Sequence, residues 1–156
     1  MFRSVLLVVF FTGLIAGVER NRIPPDTEAA LIHAETYELL SLDPDREPQA
    51  DRFHGWHVLG RIAIGDNATR TKLNAALLVG VKQNKGIVAG CFRPRHGIHV
   101  THKGKVHDVV MCFECLSASV YVDGQRSGSF LVSESPQPVF DEVLQAAGVP
   151  LAGKSD

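Results

Sequence analysis

Residues 96–112, with the sequence HGIHVTHKGKVHDVVMC, have the pattern of a β-hairpin that fixes how two central strands pair. Lys103-Gly104 divides the stretch, and glycine in the second turn position supplies the positive φ that a two-residue hairpin turn requires. This turn places Ile98 opposite Val109 and sets the apolar residues of both strands on one face. A three-residue turn would divide those residues between two faces, so the apolar pattern favours the two-residue turn.

The opposite face of the predicted hairpin carries polar side chains. On it, His99 lies across from Asp108, and Arg95 lies across from Cys112. A carboxylate beside an imidazole can fix its tautomer, and a guanidinium beside a thiol favours the thiolate, so the face holds the ingredients of an activated Cys-His site. Cross-strand polar pairs are also ordinary sheet stabilisers worth about 0.2–1 kcal/mol each, and this structural role is the simpler interpretation of His99 and Asp108.

All three cysteines of the chain fall close to this hairpin, at Cys91, Cys112 and Cys115. Cys112-x-x-Cys115 suggests a redox pair, although such pairs use a helix N-terminus to lower the thiol pKa and this segment has a strand pattern. The same pair with Cys91 and His96 offers four ligands for zinc. The third interpretation is a disulfide from Cys91 to either of the other two, with one free thiol, or three reduced, buried cysteines. If Cys112 is free, we expect it to be the most accessible and most acidic thiol, with Cys115 shielded.

Two amphipathic helices are predicted on either side of the strand-rich region. The first begins at the cap residue Asp66 and ends at Gly86, which can adopt the left-handed conformation of a helix C-cap. The second has Ser135 as its cap, Pro136 in its first position and Gly148 after its end. Each helix has an apolar stripe that another element must cover.

The remaining pattern completes the predicted fold. Asp26 can cap a short helix inside a linker at 19–36, and strands are predicted at 37–42 and 57–64. Consecutive strands joined by short turns favour antiparallel pairing. The predicted fold class is therefore α+β, a two-layer sandwich with a mainly antiparallel sheet and the two main helices on one of its faces.

The N-terminal residues 1–18 have the layout of a signal peptide or an N-terminal anchor. One basic residue, Arg3, precedes an uncharged run from Val5 to Val18, which is shorter than the roughly 20 apolar residues of a membrane-spanning helix. We therefore expect an exported protein, periplasmic or extracellular, in which disulfides persist. After the linker, residues 37–151 are predicted to form one globular domain, followed by a tail at 152–156.

Composition excludes several classes of partner. A net charge of −1 leaves no basic footprint for nucleic acid and no polybasic patch for anionic lipid. Membrane contact is therefore expected only through an uncleaved N-terminal segment. The sequence also has no nucleophile elbow, phosphate-binding loop, dinucleotide fingerprint or zinc-protease motif. Nothing in it specifies an enzyme.

The segment from Cys91 to His96, CFRPRH, and the segment Cys112-Phe113-Glu114-Cys115 together carry a resemblance. They resemble small exported bacterial proteins that share a Cys-Phe-x-Cys segment, and the similarity extends over residues 37–151. That group has no assigned activity, so the resemblance implies a shared domain and supplies no mechanism.

Two functional hypotheses follow from the sequence. The first is a noncatalytic binding module that recognises a partner protein or an envelope component. The alternative is a metal-binding or thiol-redox protein that uses Cys91, Cys112 and Cys115.

Overall fold

The computed structural model describes residues 21–47 and 51–153 of the 156-residue chain. The predicted signal peptide or anchor at 1–18 and residues 154–156 of the predicted tail lie outside the described residues. None of the helices within the described ranges has the length and apolar character needed to cross a membrane.

The described residues form three α-helices and seven β-strands. In chain order these are α1 (Pro25–Ile32), β1 (Thr36–Asp43), β2 (Arg52–Phe53), β3 (Trp56–Ala63), α2 (Asn67–Gln83), β4 (His96–His102), β5 (Lys105–Cys112), β6 (Ser117–Val122), β7 (Gln125–Leu131) and α3 (Gln137–Ala146). The strands form one curled sheet in the order β2-β3-β1-β4-β5-β6-β7, and every neighbouring pair is antiparallel. This confirms a mixed α+β fold with a mainly antiparallel sheet.

The β4–β5 hairpin has the predicted register. Ile98 pairs with Val109, and Lys103 and Gly104 form the turn with φ values of 50° and 73°. Both central residues of this turn type need positive φ, and the resulting twist matches the twist of the strands. The same turn type recurs at His54-Gly55 between β2 and β3 and at Asp123-Gly124 between β6 and β7. All four of these residues have positive φ.

Alternation along the strands divides the sheet into two faces. The first face shares one buried cluster with the helices; its strand residues include Tyr37, Leu39, Ile98, Val100, Val109 and Met111, and the helix residues include Leu73, Leu77, Phe140 and Leu144. The second face carries a separate and smaller buried cluster; its members are Leu40, Leu42, Phe53, Val58 and Val110. Apolar burial on both faces stabilises the fold, with the larger share on the first face.

The hairpin of β2 and β3 curls over part of the second face. Phe53 lies directly above Gly97 of β4, where an added Cβ would stand 2.8 Å from the Phe53 ring. Glycine therefore lets the ring approach the sheet backbone closely. This contact brings residues near position 54 over strands that are not their neighbours in the sheet.

The helix ends agree only partly with the sequence predictions. The Asp66 side chain accepts a hydrogen bond from the Thr69 amide at 2.7 Å, which confirms it as the cap of α2. This bond lowers the pKa of Asp66. The prediction that α2 ends at Gly86 was wrong, because the helix closes at Asn84. The Asn84 side chain accepts hydrogen bonds from the amides of Gly86 and Ile87 in the turn beyond it.

Two other predicted caps were also wrong. The first helix begins at Pro25, so Asp26 lies inside its first turn and does not cap it. Ser135 does not cap α3 either, because its hydroxyl contacts the Ser133 hydroxyl at 2.9 Å and Pro136 occupies the cap position. In both cases a proline with a fixed φ starts the helix without a side-chain cap.

Candidate functional site

The Cys112-x-x-Cys115 segment forms the turn between β5 and β6. Strand β5 ends at Cys112, and Leu116 adopts a φ of 60° before β6 begins. The turn brings the two cysteine Cα atoms to 5.0 Å, and their side chains form a disulfide. On an unbroken strand, the side chains of Cys112 and Cys115 would lie on opposite faces of the sheet. Because β5 ends at Cys112, the two side chains can meet.

This pairing corrects one prediction about the cysteines. The disulfide expected between Cys91 and one of the other cysteines is replaced by the Cys112–Cys115 bond, which leaves Cys91 as the free thiol of the described residues. The prediction for a free Cys112 does not apply, because Cys112 is bonded and 2% exposed, whereas Cys91 is exposed. The prediction that Cys115 is shielded is confirmed, since it is 1% exposed.

The free thiol lies against the disulfide. The sulfur of Cys91 is 3.8 Å from the sulfur of Cys115. The segment that carries Cys91 is held there by a hydrogen bond of 3.1 Å from the Ala89 amide to the Cys115 carbonyl. The sulfur of an exposed residue and a buried disulfide are thus in van der Waals contact.

Backbone amides donate hydrogen bonds to both sulfurs of the disulfide. The Cys115 amide donates to the sulfur of Cys112 at 3.1 Å, and the Arg93 amide donates to the sulfur of Cys115 at 3.2 Å. Donors aimed at a sulfur favour its thiolate form. Either sulfur would therefore be stabilised as a leaving group when the disulfide opens.

Arg95 does not take the predicted position opposite Cys112. It precedes β4, its amide bonds to the Met111 carbonyl at 3.2 Å, and its guanidinium forms an ion pair with Glu114. The Cys112 sulfur is part of the disulfide, so there is no free thiol at that position for Arg95 to activate. The free cysteine of the described residues is instead Cys91, which is exposed.

The His96 side chain contacts α3. Its Nε2 atom lies 2.8 Å from the Asp141 carboxylate on α3, among the rings of Phe113 and Phe140. Across residues 21–47 and 51–153, no group of three or more His, Cys, Asp and Glu side chains is arranged to hold a metal ion. The zinc set of His96 with the cysteines is therefore not assembled in the described structure.

His99 and Asp108 face each other as the register predicted, and a third residue joins them. The Asp108 carboxylate accepts from His99 Nδ1 at 2.6 Å and from His54 Nε2 at 2.7 Å. His54 also stacks on Tyr121, with ring centroids 3.7 Å apart. Asp108 is buried, so two imidazole donors supply the partners that a buried carboxylate needs.

This polar cluster joins the β2–β3 hairpin to the middle of the sheet. His54 lies in the hairpin turn with a φ of 49°, and it reaches Asp108 on β5 and Tyr121 on β6. No sequence pattern had predicted a role for His54. The signal was the His54-Gly55 pair between two strand patterns, but the position that the curl gives it is a long-range property.

A groove of about 470 Å³ opens beside Cys91 on the sheet. One wall is the segment 88–92 that carries the thiol, and β6 and β7 supply the rest. The lining includes Val88, Cys91 and Phe92 from this segment and Ser119, Arg126 and Leu131 from the two strands. The exposed thiol therefore stands at the side of a depression large enough for part of a peptide.

Comparison of this chain with protein-family models, curated proteins and solved structures finds no match.

Proposed function

We propose that this chain is a thiol–disulfide exchange protein in which Cys91 passes oxidising equivalents from the buried Cys112–Cys115 disulfide to a substrate. The observation that supports the proposal most is the 3.8 Å contact between the Cys91 and Cys115 sulfurs. An external thiol cannot reach a disulfide whose two residues are 2% and 1% exposed. The exposed Cys91 provides the route to it.

The first step is internal exchange. The Cys91 thiolate attacks the sulfur of Cys115, the Cys91–Cys115 bond forms, and the Cys112–Cys115 bond breaks. Cys112 leaves as a thiolate that accepts the hydrogen bond from the Cys115 amide. No electrons are gained or lost by the protein, and the disulfide now includes a surface sulfur.

The second step transfers the disulfide. A substrate thiolate attacks Cys91, which forms a mixed disulfide and releases the Cys115 thiolate, the sulfur to which the Arg93 amide donates. The second thiol of the substrate then attacks the substrate sulfur of the mixed disulfide. The substrate disulfide forms, and Cys91 is released as a thiolate. The substrate dithiol loses two electrons and two protons, and the protein disulfide gains two electrons.

We include in the proposal that the protein is exported and that its helices and sheet form two layers. Export by the segment at 1–18 would place the chain in a compartment where disulfides persist, periplasmic or extracellular. A two-layer arrangement, with the main helices over the first face of the sheet, would leave the groove beside Cys91 open to substrate. The shared buried cluster of helix and strand residues supports that arrangement.

Single-turnover kinetics test this function. Fully oxidised protein is mixed with an excess of a reduced dithiol peptide, and the protein thiols and the peptide disulfide are counted after acid quenching. The wild type should yield three protein thiols and one equivalent of peptide disulfide, in accord with its cysteine content. Cys91→Ser should react at least about tenfold more slowly, because attack is limited by access to the buried sulfurs.

A matched variant controls this experiment. Cys112→Ser retains Cys91 and Cys115, so its oxidised form should carry the Cys91–Cys115 disulfide and still oxidise the peptide. Thermal unfolding of both variants checks that they remain folded. Equal rates for wild type and Cys91→Ser would contradict the proposal, and so would a stoichiometric zinc ion that protects all three thiols of the reduced protein.

The second candidate function is the noncatalytic binding module, with a partner protein or an envelope component as its ligand. The groove of about 470 Å³ favours it, because a concave surface can bind a peptide without any chemistry. In that case the peptide binds, and its thiols remain reduced.

A further inference from the structure

We infer that the groove beside Cys91 selects an extended polypeptide segment whose cysteine has an apolar neighbour and an acidic residue about five positions away. This inference rests on the proposed exchange function and adds a substrate class to it.

The floor of the groove is a pair of strands that presents hydroxyl groups. Ser117, Ser119 and Ser129 lie on neighbouring positions of β6 and β7, because Ser119 pairs with Ser129 and Ser117 pairs with Leu131. Hydroxyls donate and accept hydrogen bonds, so they can serve the main-chain groups of a ligand whatever its side chains are. An extended main chain suits this floor.

The walls near the thiol are apolar. Val88 and Phe92 flank Cys91 in the lining of the groove. Val88 is 56% exposed, and its neighbour Ile87 is 63% exposed, so two consecutive large apolar side chains are exposed to water in the segment before Cys91. A substrate side chain that covers them would remove apolar surface from water. This favours an apolar residue next to the substrate cysteine.

The far end of the groove is basic. Leu131 lies at the end near the cysteines, because it pairs with the first residue of β6, and Arg126 lies five positions away along β7. A bulge in β7 shortens this separation, because the partners of Leu131 and Arg126 on β6, Ser117 and Tyr121, are only four positions apart. At about 3.3 Å per strand residue, the span is roughly 13–16 Å, which an extended ligand covers with four to five residues. None of the ion pairs among the described residues involves Arg126. An acidic side chain on the ligand would pair with it.

A set of short peptides with one cysteine each tests the inference. All carry leucine beside the cysteine; two carry glutamate about five residues away, before or after it, and two carry glutamine in the same places. The measured quantity is the rate at which oxidised full-length protein consumes peptide thiol at low ionic strength. One of the glutamate peptides should react about threefold faster than its glutamine counterpart, in keeping with a partly exposed ion pair.

Two variants identify the group responsible. Arg126→Gln should remove the preference, so that each glutamate peptide reacts at the rate of its glutamine counterpart. Lys105→Gln, which removes an exposed positive charge on β5, should keep the preference. Replacing leucine by serine should slow every peptide alike.

The outcomes separate this inference from the function on which it rests. Equal rates for glutamate and glutamine peptides, with a normal loss of rate in Cys91→Ser, overturn the inference and leave the exchange function standing. A preference that survives Arg126→Gln also overturns it. Absence of thiol consumption with every peptide contradicts both.

Discussion

Along β4 and β5, consecutive residues belong to two different environments. On the first face, Ile98 and Val109 are fully buried in a cluster completed by Phe140 of α3. On the second face, the next residues along the same strands are His99 and Asp108, which contact each other, and Asp108 also contacts His54. Because one face supplies the larger apolar cluster, the other can hold polar groups and a groove at modest cost to stability.

The largest expected difference between the two faces is in the stability lost when an aromatic ring is removed. Phe140→Ala should lower the free energy of unfolding by about 3–5 kcal/mol, because its fully buried ring packs against Phe113 and His96. Phe92→Ala, at the groove, should cost less than about 2 kcal/mol because that ring is only half-buried. Chemical denaturation of both variants gives the comparison. Equal losses would show that the two environments do not differ as described.

The turn between β4 and β5 sets the register, and so determines which residues lie on which face. Substitution of its glycine tests how much the turn contributes to stability. Gly104→Val should cost about 1–2 kcal/mol, because a β-branched residue resists the φ of 73° that the turn requires. An added Cβ would meet no atom within 4 Å, so the loss would come from the backbone alone. Gly65→Val is the matched control, with the same open space and no positive φ. A similar denaturation midpoint for both variants would contradict the account of the turn.

A smaller effect distinguishes histidines by their burial. Burial on the first face lowers the pKa of His107, against the partial opposition of Asp123 and Asp26. A lowered pKa means that folding favours the neutral ring, so its contribution to stability is complete above the usual pKa of about 6.5 and is lost as the pH falls. Between about pH 7 and 5, the wild type should therefore lose stability.

Two variants isolate this titration. His107→Gln should show a shallower loss of stability on acidification, and His33→Gln, which changes an exposed ring, should keep the wild-type slope. Urea denaturation at several pH values measures both slopes. A wild-type slope in His107→Gln would assign the pH dependence to other groups.

Local patterns predicted the centre of the sheet well. The Lys103-Gly104 turn and the apolar alternation around it were sufficient to pair β4 with β5, because turn geometry and burial specify the same register. Asp66 was likewise recognised as a cap because its side chain needs only the amide three residues later. These features depend on neighbours in sequence.

The candidate site was harder to predict because it depends on local exceptions and on distant contacts. Leu116 adopts positive φ, which is unusual for a residue with a branched side chain, and nothing in its sequence marks the end of β5 at Cys112. Alternation therefore separated Cys112 from Cys115, which the structure joins. His54 reaches Asp108 across 54 positions only because the sheet curls.

The position of substrate attachment tests the central claim most directly. Oxidised wild-type protein is mixed with a reduced peptide, quenched with acid at early times, and digested so that mass spectrometry locates the mixed disulfide. The peptide should be attached to Cys91, because that residue is exposed and the other two cysteines are buried. Attachment to Cys112 or Cys115, with Cys91 remaining a free thiol, would contradict it.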